Sequence, residues 1–147
     1  MCLFCDFVSG RKKRHWNDLP FMIVNESENT VSFLSKSCPE GKKAHILVIP
    51  KKHYKNLNEL SNSLRSELIE QVNLATFVIK KKYDGCNILL NDGKAAEQQI
   101  PHVHFHIVPR NFNDGYILEG WPKIDVDKDI FVNLSNEIKD LYESIQK

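Results

Sequence analysis

No stretch of this 147-residue chain is apolar for anything near the roughly 20 residues that a membrane-spanning helix requires. The opening MCLFCDFVSGRKKR does not read as a secretory signal, because Asp6 and a basic cluster arrive before any long apolar run. Excess charge of either sign is missing too. With a net charge of +1, the overall balance makes no case for a polyanionic partner or a membrane surface. RKKRH at residues 11–15 is the local exception. A solvated loop accounts for it, and a phosphate-attracting or targeting patch is the alternative. Cysteine is scarce. Four cysteines in a reducing compartment point to free thiols or metal ligands and not to a disulfide framework. Repeats, low-complexity tracts and a clear linker are also lacking, so a single domain over residues 1–147 is expected. The expected compartment is the cytoplasm, with the nucleus as the alternative.

What is present is ordinary for a globular protein: 41% apolar and 27% charged residues. FMIV from Phe21 and TVSFL from Thr30, separated by polar NESEN, predict a hairpin. Pro39-Glu40-Gly41 marks a loop, and HILVIP at 45–50 predicts a third strand closed by Pro50. From Ser61 to Lys82 the apolar period lengthens. Leu64, Leu68, Val72, Ala75 and Ile79 recur at helical spacing, with Ser61 or Ser63 as N-cap and Gly85 as the stop. CNILLN at 86–91 predicts a fourth strand. A poorly patterned stretch from Asn111 to Asp127 carries Gly115, Gly120 and Pro122. Phe131, Leu134, Ile138, Leu141 and Ile145 then stripe a C-terminal helix opened by Asp127 or Asp129. The predicted class is α+β, a mostly antiparallel sheet with a long central helix and a C-terminal helix.

HVHFHIVP at 102–109 collects three of the chain's six histidines at alternate positions. On a strand, His102, His104 and His106 share one face while Val103, Phe105 and Ile107 supply the core on the other. Three readings compete. A polar strand face that happens to be histidine is the plain one, and strict alternation counts against it. A catalytic zinc site fits an H-x-H pair with a third ligand from elsewhere. Nucleophilic attack by a neutral imidazole on phosphorus, with flanking imidazoles on the phosphate oxygens, fits as well. The pattern alone leaves both chemistries open.

The surroundings add to it. Asn91-Asp92-Gly93 and Gln98 precede the run, Pro109-Arg110 closes it, and AHILVIPKKH upstream supplies His45 and His53. This ensemble resembles the histidine-triad (HIT) family of nucleotide hydrolases and transferases, whose signature alternates three histidines with apolar residues. The resemblance runs from Cys2 to about Trp121 and is nearest to bacterial-type and Hint-like members. It implies that His104 is the nucleophile and forms a covalent nucleotidyl-histidine, and that His106 and His45 contact the α-phosphate. It places Asn91 and Gln98 on phosphate or the bridging oxygen. Gln99 stands where most relatives carry Ser or Thr, and Ser35 where many carry a ribose-binding Asp. Phe33 is a candidate for the base pocket, as is Phe7, although each serves equally well as core. The implied substrate is a purine nucleotide conjugate, adenine by preference, of the phosphoramidate or dinucleoside polyphosphate type.

A Cys2-x-x-Cys5 pair by itself is often two buried thiols. In some relatives, however, such a pair holds a structural Zn²⁺ together with the histidines that correspond to His53 and His102, and the resemblance implies the same four ligands here. It also implies a homodimer through the helix at 61–82 and an adjacent edge strand. Rival readings are a deadenylase acting on DNA or RNA ends, a nucleotide-binding module with little catalysis, and a metal-dependent hydrolase.

Overall fold

Ile-Leu-Val-Ile-Pro at 46–50 is apolar at every position because strand β3 (Ile46–Pro50) is buried along its whole length. Its neighbours are β2 (Thr30–Leu34) on one side and β5 (Phe105–Arg110) on the other. With β1 (Ile23–Glu26) and β4 (Gly85–Leu90) at the edges, the sheet order is β1-β2-β3-β5-β4, antiparallel at every pairing. The predicted α+β class is what forms. This computed structural model describes residues 2–15, 18–38, 43–117 and 127–145, and the side chains of its last segment for 127–139 and 141. The expected loop at Pro39-Glu40-Gly41, together with Gly120 and Pro122, lies outside the described residues. None of the described helices is long and apolar enough to cross a membrane.

The side chains of β3 serve two cores. Ile46 and Val48 meet Leu64, Leu68, Val72, Ala75 and Ile79 of helix α2 (Asn62–Ile79), joined by Phe105 and Ile107. Leu47 and Ile49 face the opposite way, into a cluster with Val31, Phe33, Phe4 and Phe7. Burying each such side chain stabilises the fold by about 1.5–3 kcal/mol. Ser61 caps α2 as predicted, its hydroxyl accepting from the Leu64 amide at 3.2 Å. The helix ends at Ile79, where the apolar period ends, since Lys80 to Lys82 offer nothing to bury. Gly85 therefore opens β4 and does not stop the helix. Phe4 and Phe7 belong to a six-residue helix, α1 (Leu3–Val8), that the sequence did not announce. It is too short to persist alone, and these two buried rings hold it.

Two predicted strands start late. Phe21 lies outside β1, its amide donating to the Lys13 carbonyl at 2.9 Å and its ring stacked on Phe7 at 4.5 Å. The histidine run also differs from the uniform strand expected: β5 begins only at Phe105, which pairs with Val48, and residues 102–104 lead into it off the ladder. The amide of Val103 donates instead to the Tyr54 carbonyl at 2.8 Å, and that of His102 to the Ile100 carbonyl.

The chain divides into two compact units, Met1–Tyr116 and Ile117–Lys147, each described by itself. In the second, helix α3 (Lys128–Ile145) starts where predicted. The Asp127 carboxylate accepts from the amides of Asp129 and Ile130, at 2.9 and 3.3 Å.

Candidate active site

Leaving the ladder before Phe105 frees the His102 carbonyl, and the ring of His104 uses it. Nδ1 of His104 lies 2.6 Å from that oxygen. In a neutral ring Nδ1–H must donate there, which leaves Nε2 with a bare lone pair. Burial pushes the ring below its ordinary pKa, partly offset by this hydrogen bond, so the neutral form dominates at pH 7. Phe4 meets the His104 ring edge-on at 5.2 Å and His106 meets it at 4.7 Å. His104 is only 5% exposed, and that exposure opens onto a cleft it lines.

His106, cross-strand from Leu47, lines the same cleft with His45, which sits just before β3. His45 Nδ1 is 2.9 Å from the Ser37 carbonyl, and its Nε2 is 3.0 Å from His106 Nδ1. Burial lowers the pKa of both rings, that of His106 to about 4, with nearby His104 and His45 adding to the effect on His106. Three imidazoles thus line a cavity of about 270 Å³, together with the apolar side chains of Leu3, Phe4, Phe33, Leu47 and Ile100. Polar rings beside an apolar wall suit a ligand that carries both a phosphate and an aromatic group.

Most of the residues predicted for the site are brought together. Asn91, Gln99, Ser35 and Phe33 line the cleft beside His45, His104 and His106. Gln98 does not. Its Nε2 donates to the Lys55 carbonyl at 2.9 Å and its Oε1 accepts from the Gly93 amide at 3.0 Å, so it braces the loop after β4. Phe7 lies behind the wall, packed on Phe21, Phe33 and His15. The sequence reading missed three contributors: Phe4, the Ser37 carbonyl and His15. His15 is only 8% exposed and lines the same cleft. Its basic neighbours disguised it as part of a solvated loop, whereas a carbonyl such as that of Ser37 leaves no signal in a sequence.

Next to the cleft, Cys2, Cys5, His53 and His102 place one ligand atom each within 4.8 Å of one another. Cys2 Sγ and Cys5 Sγ are 3.5 and 3.6 Å from His102 Nδ1, and Cys5 Sγ is 3.4 Å from His53 Nδ1. Zinc–ligand bonds of about 2.3 Å to sulfur and 2.0 Å to nitrogen, at a tetrahedral angle, demand about 3.5 Å between S and N. These three separations fit that geometry. Nε2 of His102 donates to the Pro50 carbonyl at 2.8 Å, which leaves Nδ1 unprotonated and turned towards the sulfurs.

Comparison with known proteins agrees with this geometry. The model of the family described as "HIT domain" matches residues 18–113. The adenosine 5'-monophosphoramidase of Schizosaccharomyces pombe is 31% identical over 137 residues, covering 93% of this chain and 95% of that protein. The crystal structure of a histidine triad nucleotide-binding protein from Candida albicans superposes with a TM-score of 0.80 at 28% identity, covering 99% of each chain. A Zn-bound histidine triad family protein from Mycobacterium smegmatis, 32% identical, gives a TM-score of 0.61 over 83% of this chain and 84% of that one. With alternate imidazoles gathered at one cleft and the family model covering well over half of the sequence, the chain belongs to the HIT domain family.

Proposed function

We propose that this protein is a nucleotide-conjugate hydrolase or transferase that cleaves the bond to the α-phosphate and releases a nucleoside monophosphate. The observation that carries the reading is the hydrogen bond from His104 Nδ1 to the His102 carbonyl, which holds an unprotonated Nε2 at the cleft. Nε2 attacks phosphorus, the bond to the leaving group breaks, and the leaving group departs with its electron pair and collects a proton. Water then attacks the same phosphorus and gives up a proton, which balances the one that the leaving group took. The N–P bond breaks, its electrons return to Nε2, and the nucleoside monophosphate leaves. His106, protonated as the anion binds, holds a phosphate oxygen, and His45 stands behind it as the hydrogen-bond partner of its Nδ1; a donor aimed at developing charge is worth on the order of 10²–10³ in rate. Asn91, Gln99 and Ser35 contact phosphate and sugar from the cleft wall, and Phe33 packs on the base. The name of the fission-yeast relative favours an adenosine phosphoramidate as substrate.

Zn²⁺ at Cys2, Cys5, His53 and His102 is structural in this reading, because four protein ligands close a tetrahedral site and leave no position for a reacting water. It would tie α1 to the segment that carries His104. A homodimer through α2 and the edge strand β4 completes the assembly. Phe77, Val78 and Ile88 support it, being half or more exposed on those two elements. The protein acts in the cytoplasm or nucleus.

The test is to trap the intermediate. The protein is incubated with adenosine 5'-phosphoramidate, quenched in mild base and searched by mass spectrometry for AMP on His104, with and without chelator. An adduct at His104 that survives brief chelation, and that His104→Ala lacks while still binding AMP, supports the covalent route. Turnover abolished by chelator with no adduct favours a metal hydrolase. Nucleotide binding without turnover favours a binding module. Preference for adenylated DNA over the small conjugate favours an end-processing enzyme.

A further inference from the structure

We infer that His15 is the base-reading residue of the cleft: its imidazole hydrogen-bonds the polar edge of the nucleobase and makes the site prefer natural purines over bases without polar edge atoms. The inference rests on the nucleotide reading above and assigns a specificity role to a residue outside the imidazole cluster.

The ligand's direction in the cleft follows from chemistry. Phosphate belongs with His45, His104 and His106, so the base, at the far end of the ribose, occupies the slot between Phe4, Phe33 and Ile100. A succession of ring contacts leads away from the nucleophile. His104 meets Phe4 at 5.2 Å, Phe4 meets Phe33 at 5.4 Å, Phe33 meets Phe21 at 4.8 Å, and Phe21 meets His15 at 6.3 Å. His15 ends this succession, held edge-on by Phe7 at 4.8 Å. Among the described residues its ring nitrogens have no hydrogen-bond partner, although the ring is only 8% exposed and lines the cleft. A site that offers an unbonded ring nitrogen to its ligand rejects ligands that cannot bond it. Burial, then Lys36 and Lys12, lower the pKa of His15, so it meets the base as a neutral ring. With no fixed partner, its tautomer is free to present either a donor or an acceptor. A 6-amino and a 6-oxo purine are therefore both accepted, and the discrimination falls between polar and apolar edges.

The experiment measures KM and kcat for adenosine, guanosine and indole-riboside 5'-phosphoramidates, the indole matching a purine in shape without its polar edge atoms. In the wild type the two purines should have similar KM values, with indole about tenfold weaker, the worth of one hydrogen bond. His15→Phe should raise both purine KM values by about tenfold, leave the indole KM unchanged and leave kcat in place. His15→Gln, which keeps a donor and an acceptor, should restore most of the purine preference. A His15→Phe effect equal on all three substrates, or on none, overturns the inference. Should His15→Phe fail to fold, the wild-type ¹⁵N resonances of the His15 ring decide: AMP must shift them and the indole nucleotide must not. Wild-type turnover with indole as good as adenosine defeats the His15 assignment alone, whereas no turnover or binding of any conjugate defeats the nucleotide reading with it.

Discussion

His45 Nε2 stands 3.0 Å from His106 Nδ1, while the other nitrogen of His45 is tied to the Ser37 carbonyl at 2.9 Å. In neutral rings this fixes the order of protons. His45 Nδ1–H donates to Ser37, so its Nε2 accepts; His106 Nδ1–H donates to that nitrogen, which leaves His106 Nε2 as a bare lone pair facing the cleft. A phosphate oxygen needs a donor at that position.

Anion binding is therefore linked to uptake of a proton. Free His106 titrates at about 4, held there by burial and by its histidine neighbours. A bound anion raises that value, so affinity should rise as pH falls from 8, by up to about one proton per ligand, and level off below the free value. Adenosine 5'-(methyl phosphate) keeps one fixed charge over this range and isolates the effect. Calorimetry in buffers of different ionisation enthalpy should detect the proton, and His106→Ala should remove it. Affinity independent of pH in the wild type would refute the proton order.

The cysteine–histidine cluster makes a second prediction. One zinc per chain should co-purify, and Cys5→Ser should lose it, as read by plasma mass spectrometry. Prolonged chelation of the wild type should lower Tm by on the order of 10 °C, since a ligand far above its Kd stabilises a domain by several kcal/mol. A metal-free preparation whose melting ignores chelator would sink this assignment.

Leu68 is fully buried where α2 crosses the sheet. Leu68→Ala should cost about 2–5 kcal/mol in urea unfolding. KM for the phosphoramidate should stay near its wild-type value in the folded fraction, because Leu68 packs on the face of β3 opposite the cleft. A loss below 1 kcal/mol would mean that α2 repacks more freely than its burial implies.

The parts of the fold that were legible in the sequence are those whose burial repeats at a fixed period. β2, β3 and the Ser61 cap of α2 lie where alternation, a continuous apolar run and helical spacing put them. Boundaries set by a distant partner were not legible. Phe21 is as apolar as Ile23, yet it stacks on Phe7, and nothing local to residue 102 tells that the Val103 amide goes to Tyr54. In the site, the gathering of His45, His104 and His106 and the grouping of Cys2, Cys5, His53 and His102 were readable because few other tasks require those residue types at those spacings. Gln98 was misplaced because an amide that braces a loop and one that holds a phosphate look alike in sequence. His15 escaped because what gives it a role is the aromatic packing of Phe7 and Phe21 around it, not its charged neighbours.

His102 faces two ways: its imidazole turns to the thiols of Cys2 and Cys5, and its main-chain oxygen steers the ring two positions on. Genetic dissection at this codon therefore reaches only one of the two. Every replacement removes the imidazole and keeps a main-chain oxygen, so a scan of codon 102 reports on the thiol cluster, and the hold on the next ring has to be read at codon 104.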